Sequence, residues 1–348
     1  MRRNGYNSYR GRSRFRTVMK VLIGVLLVVL VLAVAALIWL EPYLGYSAGG
    51  IRINLPFFRR EQPEETGGAP VVVTTPEVLP TPAPTPEEQA DFRAVLLPNT
   101  ALYDGTAAEQ LQAAGANTAV FDMKADDGTL GYISELALAA QAEVSAADPA
   151  LNAAIQLLND GDITTVARVS CFRDNSVPYY RNSLALHTSG GNWRDGGGSR
   201  WLSPASAEAR QYAADVCREL AGLGFDEILL DYWAFPAGGE GILADNNYPA
   251  ADGRTAVLEG FLDQVEEALA GYPEVRVSLV TTSAAAAGEA PETGQTAALL
   301  ERADRVLVSL GEGEALPRLD GVPVAPILPQ AGDAADSWAV LSPAGETA

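Results

Sequence analysis

Between Phe92 and Leu341 the chain enters an apolar run of strand length eight times, and stretches of helical periodicity separate most of these runs. The runs are 92–97 (FRAVLL), 118–124 (TAVFDMK), 164–172 (TTVARVSCF), 226–233 (DEILLDYW), 275–281 (VRVSLVT), 305–310 (RVLVSL), 322–328 (VPVAPIL) and 337–341 (SWAVL). This alternation is the pattern of parallel strands joined by crossover helices. Helical patterns fit 106–114, 149–159 behind Asp148 as N-cap, 204–222 behind Ser203 as N-cap, 255–270, and a short stretch at 294–302. No comparable helix separates the last three strands. Eight strands in about 250 residues match a (β/α)8 TIM-like barrel, an α/β fold, here with an abbreviated C-terminal half. An open doubly wound sheet is the alternative. That fold usually carries a glycine-rich phosphate loop after an early strand, and none is present, so no cofactor is expected. The glycine run Arg194-Asp195-Gly196-Gly197-Gly198 falls in a long loop instead and reads as a flexible segment.

The barrel region, residues 92–348, is preceded by three segments of different character. Val21 to Leu40 is a 20-residue run without a charge, and at helical rise such a run covers a hydrocarbon core of about 30 Å. Cleaved signal peptides have apolar cores of only about 7–15 residues and a small-residue exit, whereas this run ends Ile38-Trp39-Leu40-Glu41-Pro42. A single transmembrane helix over 21–40 is therefore expected, with Trp39 and Tyr43 at the far interface. The basic tail 1–20, with seven cations and no acid, is expected in the cytoplasm by the positive-inside rule. Residues 41–91 form a juxtamembrane segment and a linker. Its part 61–91 holds seven prolines among Thr and Glu, a composition that favours extended polyproline II and no packed core. The expected location is the cell membrane, single-pass, with the C-terminal domain extracytoplasmic.

Charge excludes several functions. Residues 21–348 carry 17 Lys+Arg against all 44 Asp+Glu, a balance that repels phosphate backbones and argues against nucleic acid as a partner. The two cysteines and single histidine are too few for a zinc site. A Ser-His-Asp relay would have to run through His187, which lies in a Gly/Ser-rich loop without a nucleophile elbow. Asp126-Asp127-Gly128 lacks the ligand spacing and distal Glu of an EF-hand, so no metal is expected.

In a barrel the reacting groups come from strand C-termini and the loops behind them. Period-two alternation puts Leu229, Asp231 and Trp233 on one face, so if Leu229 points inward, Asp231 stands at the mouth. The same rule aligns Val120, Asp122 and Lys124, which pair as a salt bridge or contact substrate hydroxyls. Arg168 shares a face with Ser170 and Phe172, and an inward Arg168 is placed to meet Asp122 or Asp231. Cys171 and Cys217 face each other across sheet and helix, as a disulfide or as two buried thiols. Aromatic residues gather where the third and fourth strands end. Trp193, Tyr232 and Trp233 are read as stacking platforms for sugar faces, with core packing as the alternative.

These phrases carry a resemblance. GFDEILLDYWAFP at 224–236, VFDMKADDG at 120–128, ARVSCFRDN at 167–175 and WLSPASAEARQYAADVCRELAGLGF at 201–225 occur in the order found in a glycoside hydrolase-like TIM-barrel family of bacterial extracytoplasmic proteins, long described as a domain of unknown function. The chain resembles that family over most of 92–341. The resemblance implies hydrolysis of glycosidic bonds, with the fourth-strand Asp231 as nucleophile or base. It also implies an acid on the fifth strand. Here the chain departs from the family: it reads Ser278-Leu279-Val280-Thr281-Thr282-Ser283, with Val280 at the acid's place. Asp122, or Glu289 and Glu292 in the following loop, are the candidate proton donors, and Lys124 and Arg168 candidate substrate contacts.

Three functions follow as alternatives. The first is a membrane-anchored hydrolase acting on a polysaccharide, with cell-wall glycan as partner. The second is a carbohydrate-binding barrel without catalysis. The third is a cell-surface structural or interaction domain in which Asp122, Lys124, Arg168 and Asp231 are an ion-pair network.

Overall fold

A computed structural model describes residues 44–47, 50–53, 91–333 and 336–342. The basic tail, the span predicted over 21–40 and the proline-rich linker lie outside the described residues. Among the described residues no helix is long and apolar enough to cross a membrane. In the N-terminal unit, Leu44–Ser47 pairs antiparallel with Gly50–Ile53.

The C-terminal unit is a closed barrel of eight parallel strands: β1 (Arg93–Leu97), β2 (Thr118–Lys124), β3 (Thr164–Ser170), β4 (Glu227–Asp231), β5 (Arg276–Thr282), β6 (Arg305–Ser309), β7 (Val324–Ile327) and β8 (Trp338–Val340). Each strand pairs with its sequence neighbour, and β8 closes on β1 through Trp338↔Arg93, Ala339↔Ala94 and Val340↔Val95. The β7–β8 seam is thin, with one registered pair, Ile327↔Ala339. All eight expected strands are present, because apolar runs buried on both faces are legible without partners.

Helices α1 (Ala107–Ala114), α2 (Leu151–Asn159), α3 (Ala207–Gly222), α4 (Ala251–Leu269) and α5 (Ala297–Leu300) cover the outside. Helix α4 begins at Ala251, four residues before the expected start, and both expected N-caps are displaced. Ser206 caps α3, its side chain accepting from the Ala209 amide, while Ser203 is spent on the Asn247 carbonyl and the Ala205 amide. Ala150, rather than Asp148, occupies the cap of α2. Asp148 instead accepts from the Ala150 amide, so its side chain closes the turn before the helix. Among the described residues no helix lies between β6 and β8.

Inward-facing residues fill the barrel in layers. At the N-terminal end Glu227, fully buried, accepts from Ser278 and Arg305. The Arg305 guanidinium lies 3.7 Å from the Phe92 ring centroid. The middle layer is apolar: Val120, Val166, Leu229 and Leu307 pack with Ala94, Ala325 and Ala339. Leu229 therefore does point inward, and the next residue on its face is Asp231. The larger core lies between sheet and helices. Cys171 and Cys217 sit in it as free, buried thiols rather than a disulfide. Burial pushes the Cys217 thiol up to about 12.

Candidate active site

The third interior layer, at the C-terminal ends of the strands, is built around one arginine. Arg168 on β3 is flanked by Asp122 on β2, its registered partner, and by Asp231, which ends β4 opposite Ser170. Its Nε and Nη2 donate to Asp231 Oδ2 at 2.9 and 2.7 Å. Nη1 donates to Asp122 Oδ1 at 2.8 Å, and Nη2 also to Asp126 Oδ1 at 2.7 Å. Asp122 and Asp231 thus stand on one guanidinium, which holds their nearest oxygens within about 8 Å of each other. The network continues outward. Arg173 donates to the other oxygen of Asp126 and, through Nε at 2.7 Å, to Asp195, which also accepts from Trp201 Nε1 at 3.0 Å.

These carboxyls are not equivalent. Burial pushes the Asp122 carboxyl above its ordinary value, the Asp126 and Asp231 charges add to this, and Arg168 only partly offsets it. Asp126 is desolvated too, but Arg168 and Arg173 together hold it below the usual carboxylate range. Asp195 is likewise held low, by Trp201, Arg173 and the Ser199 amide against its own desolvation. Of these three, Asp122 is the one whose surroundings favour the proton.

The mouth opens into a cavity of about 860 Å³ lined by Asp126, Arg168, Asp195, Asp231, Trp201, Tyr232 and Trp233, and also by Val280, Thr281 and Gln295. Asp122 is absent from this lining, although 30% of its side chain is exposed. Tyr232 follows Asp231 in a left-handed backbone conformation, φ 47°, costly for a residue with a Cβ. That turn brings the Tyr232 amide onto Asp231 Oδ1 at 2.8 Å, so both Asp231 oxygens are fixed. The Tyr232 ring lies beneath the Arg173 and Arg168 guanidiniums, 5.1 and 5.9 Å from its centroid, with Trp201 edge-on at 5.6 Å.

Several expected roles are corrected. A register shift between Asp122 and Lys124 breaks the alternation, so Lys124 leaves the mouth face. It is fully buried, 2.8 Å from Asp174, bonded to the Ser170 carbonyl and 5.9 Å from the Tyr212 ring centroid, out of reach of a sugar. Arg168 does line the cavity, while it donates to Asp122, Asp126 and Asp231 and so organises the mouth. Trp193 is buried behind Trp201, at 6.2 Å between centroids, with Nε1 on the Glu240 carbonyl. The β5–α5 loop does reach the cavity, but through Ala290, Thr293 and Gln295; Glu289 and Glu292 are not in the lining. Trp233 lines the cavity with a ring that is 1% exposed, its Nε1 tied to the Val280 carbonyl.

Sequence reasoning missed Asp126, Asp195 and Arg173 as site residues, and Trp201, one of the aromatics gathered at the strand ends and read there as core packing, is both buried and part of the cavity wall. The glycine run is not free: Asp195 Oδ1 accepts from the Gly197 and Ser199 amides, an Asp-Gly turn chemistry that was legible. The contact of Asp195 with Arg173 spans 22 residues and had no local signal.

A family model described as DUF4015, "Putative glycosyl hydrolase domain", matches residues 105–309, more than half of the chain. Among solved structures, a hypothetical protein from Ruminiclostridium thermocellum is similar at 24% identity and TM-score 0.45, over 53% of this chain and 96% of that one. The PgaB (BpsB) glycoside hydrolase domain from Bordetella bronchiseptica is similar at 15% identity and TM-score 0.43, over 63% and 74%. A variant of the PelA glycoside hydrolase domain from Pseudomonas aeruginosa is similar at 15% identity and TM-score 0.37, over 62% and 66%. No curated protein matches.

Proposed function

Since the chain belongs to the glycosyl hydrolase domain family matched over 105–309, we propose that it hydrolyses glycosidic bonds of a polysaccharide at the mouth of the barrel. The observation that carries this reading is the placement of Asp122 and Asp231 on opposite sides of Arg168, beside an aromatic-walled cavity. Glycoside hydrolysis needs two carboxyls about 5–9.5 Å apart, one to protonate the leaving oxygen and one to act as nucleophile or to activate water. Asp231, fixed through both oxygens and facing the cavity, is the nucleophile or base. Asp122, whose surroundings favour the proton, supplies it to the leaving oxygen directly or through one water. Tyr232, half-buried at the mouth, offers its ring to sugar carbons, and the buried Trp201 and Trp233 hold the wall behind it. Asp122 takes the role of the fifth-strand acid that Val280 lacks. The uncharged run 21–40 anchors the chain in the membrane, and the linker presents the barrel to glycan of the surrounding wall.

The test is reducing-sugar release by the full chain from a panel of wall glycans, α-glucans and β-glucans, beside Asp231→Asn. Release that vanishes in the variant supports the reading; release that survives it, or no release from any glycan, overturns it. The second outcome would leave a carbohydrate-binding barrel without catalysis. One observation favours that alternative: the carboxylates Asp122, Asp126, Asp195 and Asp231 are all already bonded to arginine.

A further inference from the structure

The rim of the cavity differs in charge from the rest of the domain. Residues 171–206, which join β3 to α3, carry Arg173, Arg181, Arg194 and Arg200 but only Asp174 and Asp195 as acids, in a body where acids outnumber cations more than twofold. Arg173 and Arg181 are consumed by carboxylates. Arg194 and Arg200 form no ion pair among the described residues. They face each other across an antiparallel bridge, and both guanidiniums converge on one neutral acceptor, the Asn175 side-chain oxygen, at 3.2 and 2.8 Å. An amide oxygen accepts their hydrogen bonds without cancelling their charge. Burial and the neighbouring Arg194 charge lower the Arg200 pKa somewhat, while the guanidinium stays charged, and a bound anion between the two cations offsets their repulsion.

The same strip has rings. Arg200 stacks 5.1 Å from the Tyr179 centroid, and Tyr179 and Tyr180, 66% and 50% exposed, meet edge to face. Along the bridge, neighbouring residues point to opposite sides. Asp195 and Trp201 line the cavity, while Arg194 and Arg200 turn toward Asn175 and Tyr179.

We propose that Arg194 and Arg200, set on Asn175 and bordered by Tyr179 and Tyr180, bind the anionic group of an acidic glycan chain whose neighbouring sugars enter the cavity. A planar guanidinium fork matches a carboxylate or phosphate oxygen pair, and the exposed tyrosine rings stack on the sugar bearing it. The anion is a uronate carboxylate or a phosphodiester. Diffuse binding of a polyanion is opposed by the acid excess of the domain, so attraction has to be local. That the ligand is a glycan rests on the hydrolase reading.

The test measures binding to the full chain carrying Asp231→Asn, so that no cleavage intervenes. Probes are polygalacturonate, poly(glycerol phosphate) and a neutral galactan at low and high salt. One polyanion is expected to bind at least about tenfold more tightly than the galactan, with the advantage shrinking as salt rises. Which polyanion it is identifies the source of the charge. Arg194→Gln/Arg200→Gln should remove the advantage and leave galactan affinity unchanged, which also shows that the variant is folded. Arg318→Gln, at an exposed arginine outside this strip, should leave the advantage intact. Equal affinity for all three probes, or an advantage that survives the double variant, overturns the proposal. Cleavage is read separately on the Asp231 chain: a lost anion preference with glycan hydrolysis intact removes this inference alone, and a kept preference without hydrolysis removes only the hydrolase reading.

Discussion

The two ends of the barrel hold the same pair of groups in different settings. At the N-terminal end Glu227, with no exposed surface, is held by Ser278, by Arg305, whose guanidinium lies on the Phe92 ring, and by Arg276 at 3.5 Å. At the C-terminal end Asp122, Asp126 and Asp231 share Arg168, and their side chains keep 30%, 31% and 13% of their surface exposed. A carboxylate sealed from water and ligand can only contribute to the fold, and its main effect is the cost of breaking its ion pairs. One left open on a single side can exchange partners and protons. The difference comes from which end of the strands a residue occupies, and it predicts opposite consequences for similar substitutions.

The largest effect separates the two ends outright. Asp231→Asn should lower glycan hydrolysis by about 10⁴-fold with a nearly unchanged melting temperature, checked by initial rates beside circular dichroism. Next, Asp122→Asn should cost about 10²–10⁴-fold and change the pH profile. Asp122 binds its proton more tightly than an ordinary carboxyl, so the protonated donor persists above the usual carboxylate range and wild-type activity falls as pH rises through its raised pKa. The variant should lack that descending limb; a limb that remains would assign it to another group. At the sealed end, Glu227→Gln should destabilise by about 3 kcal/mol in denaturant melts, since it leaves Arg305 and Arg276 without their shared carboxylate. Activity per folded molecule should not move, and a selective loss of rate there would break the comparison. The smallest effect concerns Asp126. Its carboxyl is held low by Arg168 and Arg173, so its contribution is present above the unfolded carboxylate pKa and lost as pH falls through its folded one. The stability gap between wild type and Asp126→Asn should be no more than about 1 kcal/mol at neutral pH and should close in acid.

The strands were legible because burial on both faces writes an apolar run that needs no knowledge of neighbours, and Asp231 followed from counting two residues on from Leu229. Arg168 was legible for the same reason, as a cation inside an otherwise apolar run that had to meet an acid. Lys124 was not, because a local irregularity between Asp122 and Lys124 reverses a face while leaving composition unchanged. The cap at Ser206 was missed because Ser203 offered the same chemistry three residues earlier and a tertiary bond to Asn247 drew Ser203 away, and Asp148 closes the turn onto the Ala150 amide instead of capping the helix. Asp195, Arg173 and Trp201 come together through loops whose paths no periodicity encodes. Glu289 and Glu292 fail for a related reason: their loop reaches the cavity, but its turns present Ala290 and Thr293 instead.

The ring of strands is closed by joining its first and last members, as in the bond from the Phe92 amide to the Ser337 hydroxyl across 245 residues. The contact of greatest sequence separation demands the most chain entropy before it returns any bonding. Closure therefore belongs late on the folding pathway, after the β2–β5 ladders. Until β8 docks, β1 and β7 are bare sheet edges able to recruit strands from other molecules. With a single registered pair tying β7 to β8, folding yield should depend most on chain concentration at this step, and a substitution that weakens Trp338–Val340 should appear first as aggregation during refolding.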